Sequence, residues 1–169
     1  MLKYAKPYED RLRQLFDDIA FDDYYQFEQF MAYRETFKLP DDTYSENDFV
    51  SLHGNDVIGF IGYRIKRPEN AVWGLQIVHF GGPEAPHKFI FGKDVYTAID
   101  DIFRKYSFSK INFGVIVGNP IEKTYDKLIK QYNGQIVGTR KQDILLIDGK
   151  LYDVKEYELF AVDYFLRSY

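Results

Sequence analysis

The chain has no cysteine, which excludes disulfide staples, thiolate nucleophiles and Cys-bound zinc in one step. Proline is scarce, with 6 residues, and no Pro/Ser-rich linker, internal repeat or low-complexity tract interrupts the sequence. One domain over residues 1–169 is therefore expected. Long apolar runs are missing too: no window approaches the ~18 residues that a membrane helix needs. The N-terminus lacks a basic segment leading into an apolar stretch. A cytoplasmic protein away from membranes is the expectation. A basic surplus is also lacking, since net charge is −4 and pI about 5.4, which argues against nucleic acid as a partner. The three histidines, 53, 79 and 87, do not fall at metal-ligand spacing, so no metal is expected. Neither a Gly-x-Ser-x-Gly elbow nor a Gly-x-x-x-x-Gly-Lys-Ser/Thr phosphate loop occurs.

What the chain does have is aromatic bulk. Fifteen Phe, 15 Tyr and one Trp make 18% of the residues, so rings should wall both the core and any pocket. Charge is unevenly spread. Residues 1–50 carry 12 Asp/Glu against 6 Lys/Arg, whereas the remainder is slightly basic. Asp17, Asp18, Asp22, Asp23 and Glu28 could draw a cationic partner, although a solvated helical face explains them as well.

Periodicity gives the elements. Leu2 to Ala5 suggests a short strand, and Tyr8 to about Phe37 repeats apolar residues at helical spacing, read as two helices broken near Asp22-Asp23. Phe49–His53 and Val57–Lys66, joined through Gly54-Asn55, form a hairpin signal. Gly59 and Gly62 inside it mark a close approach of a backbone or ligand. Val72–Phe80 is a strand, and Asp94–Tyr106 a helix with Asp94 as its cap. Ile111–Val117 alternates as a strand. Asn119–Tyr132 is a helix with Asn119 as cap, Pro120 in the first position and Glu122 three residues past the cap. Gln135–Ile147 and Leu151–Phe160 close the chain as a hairpin around Asp148-Gly149-Lys150. The order predicts an α+β fold with a single central mixed sheet of about 6–7 strands flanked by four helices.

The run Val115-Ile116-Val117-Gly118-Asn119-Pro120 through Tyr125-Asp126-Lys127-Leu128, followed by Gly134-Gln135-Ile136-Val137-Gly138, resembles the C-terminal half of the GNAT N-acetyltransferases. The hairpin containing Ile58-Gly59-Phe60-Ile61-Gly62 resembles that family's second and third strands. The resemblance in element order covers nearly the whole chain and is weakest over residues 1–48. It implies acetyl-CoA as cosubstrate, lying between two central strands that splay apart, and a primary amine as acceptor. A homodimer is compatible with it. Carried over, the backbone of Leu75 to Phe80, including Ile77 and Val78, would hold the pantetheine arm. The loop from Lys88 to Asp94, with Phe91, Gly92 and Lys93, would hold the pyrophosphate on unpaired N–H groups. Only Gly92 matches the family's phosphate loop: Phe89 and Asp94 stand where Gln/Arg and a small residue are usual.

The resemblance assigns Tyr125 as the acid that protonates the departing thiolate, and Asn119 as a cofactor contact. Equally, Tyr125 lies four residues after Ile121 and three before Leu128, where a tyrosine often only fills the core. Capping alone also explains Asn119. Many family members carry a glutamate base on the fourth strand. Here Val72–Phe80 has no carboxylate, so His79 is the candidate base, with Gln76 an alternative that would orient water. Two further readings stay open: a GNAT-like module that binds acyl-CoA or a protein without turnover, and an aromatic-rich interaction domain.

Overall fold

The computed structural model describes residues 1–28, 37–82 and 86–167. Seven strands form one sheet in the order β1-β2-β3-β4-β5-β7-β6. They are β1 (Leu2–Tyr4), β2 (Glu46–His53), β3 (Asp56–Lys66), β4 (Ala71–His79), β5 (Lys110–Ile116), β6 (Gln135–Leu145) and β7 (Leu151–Phe160). Neighbours are antiparallel except β4 and β5, which run parallel. The α-helices are α1 (Glu9–Ile19), α2 (Lys88–Arg104), α3 (Glu122–Gln131) and α4 (Ala161–Arg167). No helix among the described residues is long and apolar enough to cross a membrane.

Each face of the sheet has its own core. Leu12, Phe16 and Ile19 recur at helical spacing, so α1 buries one stripe against Val50, Phe60, Val78 and Phe80. On the opposite face Ile99, Ile102 and Phe103 of α2 and Ile129 of α3 pack on Ile61, Val72, Ile111, Phe113 and Tyr157. The aromatic excess lies here, with rings such as Phe113 and Tyr157 stacked at 5.1 Å.

Several boundaries differ from expectation. α2 begins at Lys88, six residues before the expected cap, because Phe91 extends the buried stripe upstream. Asp94 is therefore no cap. It is 8% exposed, takes a hydrogen bond from Ser51 Oγ at 2.6 Å and faces the N-terminal ammonium at 2.8 Å. α3 begins at Glu122, later than Asn119, because the Asn119 carboxamide first closes a turn by accepting from the Ile121 N–H at 3.1 Å. Where the second helix was expected to begin, Asp23–Glu28 form a 3-10 turn. Its continuation, with Phe30 and Met31, lies outside the described residues. The closing helix α4 was not expected. Tyr164 holds it down, 5.0 Å from Phe103 and 4.8 Å from Tyr132 between ring centres.

The close approaches at Gly59 and Gly62 come from the protein itself. A Cβ at Gly59 would overlap the Phe91 ring, and one at Gly62 would overlap the Asp48 carboxylate.

Candidate active site

β4 and β5 are paired at only three positions, Ala71 with Lys110, Val72 with Ile111 and Trp73 with Asn112. Beyond Trp73 they separate. The cause is local: between the pairs Arg64–Trp73 and Gly62–Gln76, one β3 residue faces two on β4. This β-bulge holds Gly74 at φ +62°, a left-handed conformation natural to glycine. From Gly74 onward the β4 edge facing β5 has no strand partner, although Leu75, Ile77 and Val78 are good strand residues.

The gap opens a cavity of about 940 Å³. One wall is Gly74, Leu75, Gln76 and Ile77 of β4, and the other is Phe113 to Ile116 of β5. Tyr125 and Asn119 border it from the start of α3, while Phe27 and Glu28 reach it from the 3-10 turn. Strand pairing that stops early therefore leaves polar backbone beside a hollow of ligand size.

α3 is held to the sheet by a polar clamp. Lys155 Nζ donates to Asp126 at 2.7 Å and Glu122 at 3.1 Å, and Tyr157 OH donates to Asp126 at 2.8 Å. The paired Lys155 ammonium holds the Asp126 carboxyl below its usual range. The Tyr125 ring stands edge-on to Phe113 at 5.2 Å, and its hydroxyl has no hydrogen-bond partner among the described residues. Burial, reinforced by the negative potential of Glu28, pushes the phenol above its ordinary pKa. The phenol thus keeps its proton at neutral pH. Tyr125 both packs on the core and borders the cavity, so core filling alone does not account for its position.

Glu28 is the residue that sequence reasoning placed only among the surface acids. Burial pushes its carboxyl up to about 8, so near neutrality it exchanges a proton readily. A helical pattern could not reveal this, because the 3-10 turn replaces the helix whose outer face Glu28 would occupy.

Of the other site residues inferred from sequence, Leu75 and Ile77 border the cavity, whereas Val78 is buried against α1. His79 does not reach it. Its ring packs on Phe91 at 5.0 Å, its Nε2 is buried without a partner, and burial and the nearby Lys88 push its pKa down. Lys88, Phe91, Gly92, Lys93 and Asp94 form no loop. They make the first two turns of α2, with Phe91 and Asp94 turned inward. The expected phosphate loop is therefore the start of a helix, with the Phe91 ring and the Asp94 carboxylate facing the core. All three histidines converge at this end, His53 and His87 stacking at 3.8 Å, yet among the described residues no cluster could hold a metal ion.

A single mixed sheet split between parallel β4 and β5, with helices on both faces, is the GNAT acyltransferase fold. Comparison with solved structures agrees. The spermidine/spermine N-acetyltransferase SpeG from Vibrio cholerae matches with a TM-score of 0.60 at 21% identity, over 95% of this chain and 79% of that one. A chimera of SpeG and hSSAT matches with a TM-score of 0.60 at 22% identity, over 95% and 86%. At such identities the likeness shows the fold. No family model and no curated protein matches the sequence.

Proposed function

We propose that this chain is a cytoplasmic N-acetyltransferase that moves the acetyl group of acetyl-CoA to a primary amine in a ternary complex. The observation that carries this reading is the opening beyond Trp73 and Asn112, which sets unpaired β4 backbone, a protonated Tyr125 and Glu28 around one cavity. That opening fits a thioester arm, which could pair with the free β4 edge as an added strand does. The first-turn N–H groups of α2, with Lys88 and Lys93 nearby, suit the diphosphate.

The amine arrives as an ammonium and loses one proton to the Glu28 carboxylate, becoming a nucleophile. Its lone pair forms the N–C bond, and the carbonyl electrons move onto oxygen, which β4 N–H groups stabilise. As this oxyanion collapses, the C–S bond breaks and Tyr125 gives its proton to sulfur. The nitrogen's second proton returns through water to the phenolate, and Glu28 releases its proton to solvent. The raised phenol pKa does not forbid this step. Burial in the same dry cleft raises a thiol's pKa as well, so the difference between the two acids stays small.

The test is thiol release from acetyl-CoA across an amine panel that includes spermidine, an aminoglycoside and a lysine peptide, with Tyr125→Phe alongside. Release with at least one amine, and its near loss in the variant, is expected. Absence of any thermal stabilisation by acetyl-CoA would sink the reading, because a ligand of the native state must raise the melting temperature. Stabilisation without release from any amine would favour a binding module. Phe91 and Asp94, turned into the core where a phosphate loop is usual, are the observation behind that second reading.

A further inference from the structure

One row of residues crosses the sheet at the closed end of the cleft, where β4 and β5 still pair. It runs through Arg64 on β3, Trp73 on β4, Asn112 on β5 and Glu158 on β7, each in register with the next. All four border the cavity. Two polar atoms of the row are buried and unsatisfied. Trp73 Nε1, a donor, and Asn112 Oδ1, an acceptor, have no hydrogen-bond partner among the described residues, and Asn112 is only 5% exposed. Buried polar atoms are normally paired, so an adjacent donor and acceptor on a cavity wall point to a ligand that carries both kinds of group.

Charge is ordered along the same row. At the β7 end Glu158 accepts from Asn112 Nδ2 at 2.7 Å and from Lys110 Nζ at 2.9 Å. At the β3 end Arg64 forms no ion pair among the described residues, although Glu46 lies opposite it on β2 and its field reaches Asp48. Lys66 Nζ sits 3.5 Å over the Trp73 ring, so cations gather on the side where the indole N–H is free. That side suits a carboxylate, which a guanidinium and an N–H can hold together. A second ammonium would meet like charge there. The Asn112 side, backed by the Glu158 carboxylate, suits an ammonium donor. The reacting end lies elsewhere: Phe27, next to Glu28, packs on the cluster that includes Ile116. Ile116 is four residues along β5 from Asn112, or ~13 Å. A four-carbon side chain with a hydrogen bond at either end covers such a span.

We propose that this row is the head-group site of a free α-amino acid whose side chain ends in a primary amine, as in lysine. Its carboxylate takes the Arg64 guanidinium and the Trp73 N–H, its α-ammonium donates to Asn112 Oδ1, and its side-chain amine reaches Glu28 and the thioester. This inference rests on the acetyl-transfer reading and names the acceptor class. Neither a polyamine nor a lysine within a protein satisfies the row, since neither carries a free carboxylate beside a free α-amine.

Initial rates of thiol release from acetyl-CoA are measured with three amines. These are L-lysine, 1,5-diaminopentane, which lacks only the carboxylate, and 6-aminohexanoate, which lacks only the α-amine. In kcat/KM the wild type is expected to favour lysine at least about tenfold over the diamine and severalfold over 6-aminohexanoate, as for charge-assisted hydrogen bonds lost at one end. Arg64→Gln should bring lysine and the diamine to near parity, mainly by raising KM for lysine. Trp73→Phe, which keeps a ring but loses the N–H, should narrow the same ratio less. Wild-type parity of lysine with either truncated amine overturns the site, and so does a lysine preference that survives Arg64→Gln. Thiol release with spermidine but with none of these three overturns it too. If no amine releases thiol, the acetyl-transfer reading fails instead. Calorimetry on the wild type then decides the site: tighter binding of lysine than of 1,5-diaminopentane sustains it, and equal affinity overturns it. Should either variant not fold, the wild-type comparison still decides.

Discussion

The two ends of β4 differ in their neighbour on the β5 side. Ala71 to Trp73 are paired with strands on both sides, whereas Gln76 to His79 keep β3 and lack β5. Both ends are rich in strand-forming residues, and the open end faces Val115 and Ile116, which are equally suited to pair. Propensity therefore does not explain the gap. One extra residue does, since the bulge at Gly74 turns the strand before the pairing can continue. A single left-handed glycine converts a closed sheet into one with a binding edge, and the chemistry then depends on which side chains border the opening.

That comparison can be attacked at several points. The largest effect is expected from Tyr125→Phe, which should lower kcat by about 100- to 1,000-fold through loss of the acid while KM for acetyl-CoA and the melting temperature hardly change. Next comes Glu28→Gln, expected to cost roughly 10- to 100-fold in kcat/KM. The sign of its pH dependence follows from the raised carboxyl. Glu28 is a base only when ionised, so wild-type kcat/KM should rise with pH through about 8, and the variant should show only the amine's own titration. The same raised value makes folded wild type lose stability as pH climbs from the ordinary carboxyl range through about 8. Melting curves of Glu28→Gln should lack that decline.

Gly59→Ala is the contrast away from the cavity lining, on β3 opposite His79. Its Cβ would press on Phe91, costing roughly 1–3 kcal/mol of stability in denaturant titration, while kcat on the folded protein should stay near wild type. Smallest is Gly74→Ala, which must hold φ near +62° at a cost of about 1 kcal/mol. Relief by straightening the bulge would show as weaker thermal stabilisation by acetyl-CoA. A full wild-type shift would mean that the bulge does not set the opening.

Element order and type were legible wherever periodicity and turn chemistry agreed. The hairpins at Gly54-Asn55 and around Gly149, the β5 alternation and the Asn119-to-Tyr125 segment all reached the structure with shifted ends. Capping logic failed at Asp94 because a carboxylate can be buried if a hydroxyl and an ammonium meet it, and neither Ser51 nor Met1 is near it in sequence. The residues bordering the cleft were the least legible. The strand expected from Phe49 begins at Glu46 and so takes in Asp48. His79 is the lone titratable group on β4, yet it lies beyond the cavity lining with its ring against Phe91. Tyr125 is singled out by the resemblance alone, since spacing does not separate a core tyrosine from one at a cavity wall.

The three-pair clasp between β4 and β5 also bears on how the molecule assembles. β1 to β4 form a meander of sequence-adjacent antiparallel pairs, and β5 to β7 form a compact second block. Among the described residues these blocks are joined across distant sequence by the clasp, the α2 packing and contacts such as Phe27 against Tyr152. Local hairpins close faster than remote parallel pairs, so the two slabs should consolidate first and latch together last. Amide exchange would then find the latch at Val72 and Ile111 opening more readily than either slab, and ligand in the seam would act as a rivet.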